Sequence, residues 1–135
     1  MLPKNKWADN YSIDTPHNQL IRKLKNEYPW LCNQGFRKHI ERAFPNHFEH
    51  DELISYTVMI PDAFWIAAKR KLIRCFEIVD CNAVNKRKRQ QYGDLWLYLD
   101  GECIDLELQV HYIDGRVAEA DLVTWFYDRG VAYGT

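Results

Sequence analysis

Glu77 is the residue whose position in this chain is hardest to explain by packing alone. It lies in the segment 72–79, LIRCFEIV, in which apolar residues occupy both alternating faces, so the sequence predicts a buried central strand. A carboxylate in such a strand must be protonated, paired with a cation or bound to a metal ion, because an isolated buried charge is very costly. From the sequence alone, an ion pair with a Lys or Arg explains the buried Glu77 as well as a metal site does.

Asp62 is the carboxylate that could share a site with Glu77. A chain reversal between residues 60 and 72 would lay Asp62 beside Glu77 on a neighbouring strand. Two adjacent carboxylates repel unless a cation lies between them, and Mg²⁺ binds one or two carboxylates together with waters and a phosphate oxygen. Pro61-Asp62 is also an ordinary turn dipeptide, so Asp62 indicates a site only in combination with Glu77.

Lys88 is a cation on the apolar side of a predicted helix. Over residues 84–99 the apolar side chains recur at three- and four-residue steps, and Lys88 lies four residues after Val84 and four before Tyr92. The pattern predicts that Lys88 points toward the sheet, unlike its neighbours Arg87 and Arg89. A lysine whose stem covers the margin of the core explains the same pattern.

Two runs of basic residues predict contact with phosphates. Residues 1–93 hold 16 basic and 10 acidic side chains, whereas residues 94–128 hold one basic and nine acidic ones. The cations concentrate at Lys69, Arg70, Lys71 and Arg74, and again at Lys86, Arg87, Lys88 and Arg89. Such local density is typical of a phosphate-binding strip, although solvated surface runs look the same. Trp65 and Trp96 have apolar neighbours and are expected in the core rather than stacked on bases.

The elements that would position these residues follow from periodicity. Helical spacing predicts helices over residues 17–28, 34–44 and 84–99, and extended, β-rich stretches predict strands over 52–60, 62–68 and 71–80. Residues 102–113 alternate apolar and polar side chains, which predicts an edge strand with one wet face. Residues 117–128 satisfy neither period cleanly, with a slight preference for helix. The fold class is therefore α/β (α+β).

This arrangement resembles the PD-(D/E)xK nuclease superfamily, over roughly residues 34–113. The restriction-endonuclease-like core of that superfamily runs helix-strand-strand-strand-helix-strand around a small central mixed sheet. Pro61-Asp62 matches the PD of the motif, and Glu77 matches its (D/E) fifteen positions later. Val79 stands where the motif has its lysine. The resemblance then implies that the lysine has migrated to the following helix, where Lys88 is the first candidate and Lys86 the second.

The resemblance implies a metal-dependent endonuclease that hydrolyses phosphodiester bonds, in the first place those of DNA. Asp62, Glu77 and Glu41, an extra carboxylate on the preceding helix, would hold Mg²⁺ or Mn²⁺ with the main-chain carbonyl of Ile78 or Val79. Lys88 would orient the attacking water and stabilise the developing charge. The basic runs would bind flanking phosphates and give affinity without sequence preference. A homodimer or a protein partner would supply specificity.

Two other functions remain open at this level. Val79 replaces the lysine of the motif, which favours a catalytically inactive nuclease-like fold that binds nucleic acid or a protein. The acidic segment 94–128 instead favours an interaction protein, which would imitate nucleic acid or bind a basic partner.

Length and composition predict one soluble domain. The chain has 135 residues, of which 47% are hydrophobic. No apolar run approaches the roughly 20 residues that span a bilayer, and the start MLPKNKWADN lacks the apolar stretch of a secretory signal. We therefore expect a cytoplasmic protein without a membrane partner. It would comprise a leader and helix (1–33), a nuclease-like core (34–113) and a variable C-terminal tail (114–135).

Overall fold

The computed structural model describes residues 15–80 and 83–133, with side chains up to residue 128. The predicted leader before residue 15 lies outside the described residues. Within the described ranges, no helix combines the length and the apolar character that crossing a bilayer requires.

The described chain is a mixed α+β structure with one open four-stranded sheet. Its α-helices are α1 (Pro16–Glu27), α2 (Phe36–Ala43), α3 (His50–Tyr56), α4 (Lys86–Asp100) and α5 (Leu122–Tyr133). Its strands are β1 (Ala63–Ala67), β2 (Leu72–Val79), β3 (Asp105–Tyr112) and β4 (Val117–Glu119). A short 3₁₀ turn, Ala68–Arg70, joins β1 to β2.

The sheet is mixed, with strand order β1-β2-β3-β4. β1 and β2 form an antiparallel hairpin in which Ala63 faces Phe76. β2 and β3 are parallel, with Leu72 beside Asp105, and α4 makes the crossover connection between them that a parallel pair requires. β4 pairs antiparallel with the outer side of β3. The interior position predicted for the strand of Glu77 is confirmed.

Helices cover both faces of β2, which explains why its residues are apolar on both sides. Ile73 and Cys75 belong to the larger core together with Tyr92 and Leu95 of α4 and residues of α2. On the opposite face, Phe76 and Ile78 form a second, smaller core with Ile21 and Leu24 of α1. α1 is therefore part of the packed fold, although the sequence placed it before the core.

The strand predicted over residues 52–60 is wrong, because His50–Tyr56 forms helix α3. Asp51 and Glu52 lie in its first turn, where acidic side chains complement the helix dipole, and Leu53 alone is buried. The β-branched residues that suggested a strand, such as Ile54 and Val58, are instead exposed. Tertiary packing has overridden local strand propensity here.

β3 is not the edge strand that its alternation predicted, since β4 pairs along its outer side. Glu107, Gln109 and His111 form its polar face on the outer side of the sheet, where Glu107 and Gln109 line a cavity and His111 adjoins residues of α1. The ambiguous region 117–128 contains both alternatives, a three-residue strand and the start of α5.

Candidate functional site

Glu77 is the one buried charged side chain among the described residues, with 1% of its surface exposed. Both of its carboxylate oxygens accept a hydrogen bond from α4. Lys88 Nζ donates to Oε1 over 2.6 Å, and the hydroxyl of Tyr92 donates to Oε2 over 2.6 Å. The prediction that Glu77 needs a partner is confirmed, and so is the orientation of Lys88 toward the sheet.

Lys88 reaches Glu77 because of how α4 begins. Asn85 caps the helix, and its side-chain oxygen accepts the backbone N–H of Lys88 over 2.9 Å. Four residues further on, one helical turn away, Tyr92 lies on the same face. The Lys88 side chain is 29% exposed, so the residue that pairs with the buried carboxylate also reaches solvent.

Asp62 lies beside Glu77, as the predicted chain reversal requires. Ala63 is in register with Phe76, so Asp62, one residue before β1, comes opposite Glu77. Its Oδ2 accepts the backbone N–H of Ile78 over 2.7 Å. The Asp62 side chain is 19% exposed, which leaves this end of the site open to solvent.

The electrostatics of the site disfavour negative charge on Glu77. Burial raises the pKa of its carboxyl group, and the neighbouring Asp62 carboxylate raises that pKa further. The Lys88 ammonium and the hydrogen bonds from Lys88 and Tyr92 oppose the shift, but burial is the largest influence. The fold therefore holds two mutually repelling carboxylates next to one another, an arrangement that an additional cation would stabilise.

Tyr92 and Cys75 remain protonated in this environment. Burial is the main cause that raises the pKa of the Tyr92 hydroxyl well above its ordinary value. Burial likewise raises the pKa of the Cys75 thiol, with a further contribution from Glu77. Tyr92 thus acts as a hydrogen-bond donor, and Cys75 lacks the thiolate character of a nucleophile.

His17 and Tyr92 belong to the site, although neither was predicted there from the sequence. His17 lies at the start of α1, and its Nε2 is 3.8 Å from Asp62 Oδ2. The interaction with Asp62 raises the pKa of His17, against the opposing effect of partial burial. No local pattern connects His17 with Asp62, which lies 45 residues later. Tyr92 had a signal, since it shares the helix face of Lys88.

The donor set fits a hard divalent cation such as Mg²⁺ or Mn²⁺. Two carboxylates, with the remaining coordination positions filled by water and substrate oxygens, are the ligands that Mg²⁺ accepts. The Val79 carbonyl accepts the N–H of Ile113 over 3.0 Å and is therefore engaged in the sheet. The Ile78 carbonyl points to the same side of β2 as its own N–H, toward Asp62, and is the better main-chain ligand.

Glu41 does not join Asp62 and Glu77. Its Oε1 lies 3.1 Å from Arg37 Nε and 3.5 Å from His50 Nδ1, so this carboxylate bridges α2 and α3. Over residues 15–80 and 83–133, no three His, Cys, Asp or Glu side chains gather as a metal-binding group. In this structure Glu41 therefore contacts Arg37 and His50, and its role as a third metal-binding carboxylate stays a prediction.

The two basic runs lie at opposite ends of β2. Lys86, Arg87 and Arg89 flank Lys88 at the N-terminal end of α4, next to the carboxylates, and none of them replaces Lys88 as the partner of Glu77. The turn that contains Lys69, Arg70 and Lys71 lies at the other end, six residues from Glu77, or about 20 Å at the rise of a strand. Arg74, within β2, is paired with Glu107.

The chain was compared with protein families, with curated proteins and with solved structures, and none of the three comparisons finds a match.

Proposed function

We propose that the protein is a metal-dependent nuclease that hydrolyses phosphodiester bonds, DNA being the first substrate to test. The observation that carries the proposal is the 2.6 Å contact between Lys88 Nζ and Glu77 Oε1, with the carboxylate of Asp62 beside it. A lysine and two carboxylates are the three side-chain types required for this reaction, and here they adjoin although Val79 occupies the motif position for lysine.

Asp62, Glu77 and the Ile78 carbonyl would hold the cation. When bound, a divalent cation polarises a phosphate oxygen and lowers the pKa of a coordinated water. The carboxylate pair is suited to this role because burial and the neighbouring Asp62 carboxylate both disfavour the charge on Glu77, and a bound cation would offset that penalty. The partial exposure of Asp62 gives the scissile phosphate access to the pair.

Lys88 would position the water and stabilise the developing charge. Its ammonium group has three donors, of which one is directed at Glu77. The other two are available to a water molecule and to a phosphate oxygen, on the side where the lysine is exposed. The bond to Glu77 restrains the flexible lysine, so that its charge is already in place when charge develops on the phosphate.

The fold supports the resemblance to a restriction-endonuclease-like core in part. The hairpin β1-β2, the helix α4 and the parallel strand β3 follow the strand-strand-helix-strand portion of that core. Asp62 precedes β1 and Glu77 lies within β2, as the motif requires. The first core strand is absent from the described sheet, because residues 50–56 are helical, and β4 instead extends the sheet on the far side.

The test is cleavage of end-labelled linear, nicked and branched DNA, and of RNA, by the purified chain with Mg²⁺ or Mn²⁺. We expect cleavage that EDTA abolishes, that Glu77→Gln and Asp62→Asn eliminate, and that Lys88→Met strongly reduces. Glu41→Gln and Lys86→Met are the matched controls and retain activity. DNA binding without cleavage, unchanged in Glu77→Gln, would instead support the alternative of an inactive nuclease-like binding module.

A further inference from the structure

A second concave site opens on the outer face of the sheet, the face opposite to Glu77. It is a cavity of about 520 Å³, within the roughly 300–1,000 Å³ typical of small-ligand sites. Its floor is a row of three side chains across the sheet, because Trp65 is in register with Arg74 and Arg74 with Glu107. These residues alternate along their strands with the residues of the main core, so the cavity and the carboxylate pair face away from one another.

One wall of the cavity is the aromatic segment that follows α1. Trp30 is 58% exposed and Tyr28 40%, and their rings meet edge to face with centroids 5.6 Å apart. An indole with more than half its surface in solvent contributes little to packing, and exposed aromatic surface at a cavity rim is typical of a binding site.

This aromatic wall is held in place by the backbone around it. Cys32 forms an isolated antiparallel bridge with Phe64, through hydrogen bonds of 2.9 and 2.8 Å. Lys25 Nζ also donates to the carbonyl of Leu31 over 2.7 Å and to that of Pro29. Hydrogen bonds thus connect the segment to β1 on one side and to α1 on the other. Because it is already ordered, little conformational entropy is lost when a ligand stacks on it.

The polar groups of the cavity are equally well ordered. The guanidinium of Arg74 donates from Nε and Nη2 to Glu107 Oε2, over 2.9 and 2.5 Å. The Gln109 amide nitrogen donates to Glu119 over 3.0 Å, and its oxygen lies 2.7 Å from His111 Nε2. Fixed amide and carboxylate groups beside an aromatic surface can hydrogen-bond the edge of a planar heterocycle.

The charge at the rim indicates that the ligand carries an anionic group. Arg70 lines the cavity and is exposed, and Lys69 and Lys71 adjoin it in the 3₁₀ turn. Aromatic side chains next to a line of cations are how proteins bind single-stranded nucleic acid, with bases stacked on the rings and phosphates beside Lys and Arg.

We propose that this cavity binds an unpaired nucleotide of a nucleic-acid strand, with the base against Trp30 and Trp65 and its phosphate at Arg70. The inference rests on the proposed function in one respect, that the strand is the nuclease substrate. The floor of the cavity at Arg74 lies three residues before Glu77 in β2, about 10 Å along the strand, and on the opposite face of the sheet. The substrate class is therefore nucleic acid with an unpaired stretch that reaches the outer face of the sheet.

The test is equilibrium binding in EDTA, so that no cleavage contributes and the result is independent of the nuclease proposal. Fluorescence anisotropy compares a labelled 12-nucleotide oligo-dT, the same strand with abasic residues, and a 12-base-pair duplex. We expect oligo-dT to bind most tightly, and Trp30→Ala to weaken it on the order of 10-fold, as loss of one base stack does. Trp30→Tyr keeps a stacking surface and restores most of the affinity.

Controls separate stacking from charge and from folding. Trp30→Ala spares the core because the side chain is exposed, and Tyr127→Ala removes an aromatic residue of similar exposure on α5 without effect. Arg70→Gln weakens oligo-dT and the abasic strand alike, and the loss shrinks as salt increases. Equal loss of oligo-dT and abasic binding in Trp30→Ala, or no loss of either, would overturn the proposal. So would binding of free dTMP as tight as that of oligo-dT.

Discussion

Removal of the Lys88 ammonium group is expected to destabilise the protein in a way that depends on pH. Lys88→Met keeps the apolar stem of the side chain and deletes only the charge that accompanies Glu77. Because Glu77 is 2% exposed in its side chain, solvent cannot replace the lost cation. Breaking a buried ion pair from one side costs about 3–5 kcal/mol when the remaining group stays charged.

Protonation of Glu77 sets the pH range of this loss. The ordinary pKa of the carboxyl group is 4.5, and burial raises it in the folded protein. A raised pKa contributes stability that is fully present below 4.5 and is lost as pH rises through the folded pKa. Without Lys88 the folded pKa rises further, since Lys88 is one of the groups that lower it. The variant therefore loses more stability with increasing pH than the wild type does.

The size of this pH-dependent loss of stability follows from the pH interval between the pKa of Glu77 in the unfolded protein and its pKa in the folded protein. Each pH unit over which the folded carboxyl stays protonated while the unfolded one is ionised costs about 1.4 kcal/mol. Between about pH 5 and about pH 7.5 the additional loss in Lys88→Met therefore reaches at most about 3 kcal/mol, reduced by whatever the wild type itself loses.

Urea unfolding at several pH values, without divalent cations, measures this difference. Lys86→Met makes the same chemical change at an exposed position of α4 and should show no such pH dependence. The double variant Glu77→Gln/Lys88→Met should also lack it, because no titratable group remains in the pair. A loss of stability in Lys88→Met that is the same at all pH values would refute the assignment of Lys88 as the compensating charge for Glu77.

Three further substitutions test how the site is built. Gly93→Ala places a Cβ 2.9 Å from the backbone of Phe126, so we expect a loss of about 1–3 kcal/mol in urea unfolding as α5 is displaced from α4. Asn85→Ala removes the cap that accepts the N–H of Lys88 and should cost about 1 kcal/mol together with part of the cleavage rate. Glu77→Gln removes the buried charge and leaves Lys88, whose side chain is 29% exposed, to be hydrated by solvent, so the melting temperature near neutral pH should not fall below that of the wild type. Added Mn²⁺ should stabilise only the wild type.

The sequence predicted the centre of the site because its signals are local. Apolar residues on both faces of one strand located Glu77 in the interior, and the helical period alone directed Lys88 toward the sheet. The reversal at residues 60–72 placed Asp62 beside Glu77. In each case a pattern within fewer than twenty consecutive residues was sufficient for the prediction.

The parts that the sequence did not predict depend on long-range packing. His17 approaches Asp62 only because α1 packs across the outer face of the hairpin. Glu41 contacts Arg37 and also His50, at the start of a helix that replaces most of the strand predicted over 52–60. Trp65 was expected in the core and packs against the smaller core, but it is only half-buried and also lines the outer cavity, because α1 covers the sheet only in part. Strand propensity and apolar spacing carry no information on which element covers which face.

Titration of the purified chain with Mn²⁺ by calorimetry tests most directly whether Asp62 and Glu77 form a metal site. We expect one Mn²⁺ per chain, binding that is lost in Asp62→Asn and in Glu77→Gln, and binding that is retained in Glu41→Gln. Absence of Mn²⁺ binding in the wild type, or equal binding in Glu77→Gln, would contradict this expectation and leave Glu77 and Lys88 as a buried ion pair of the fold.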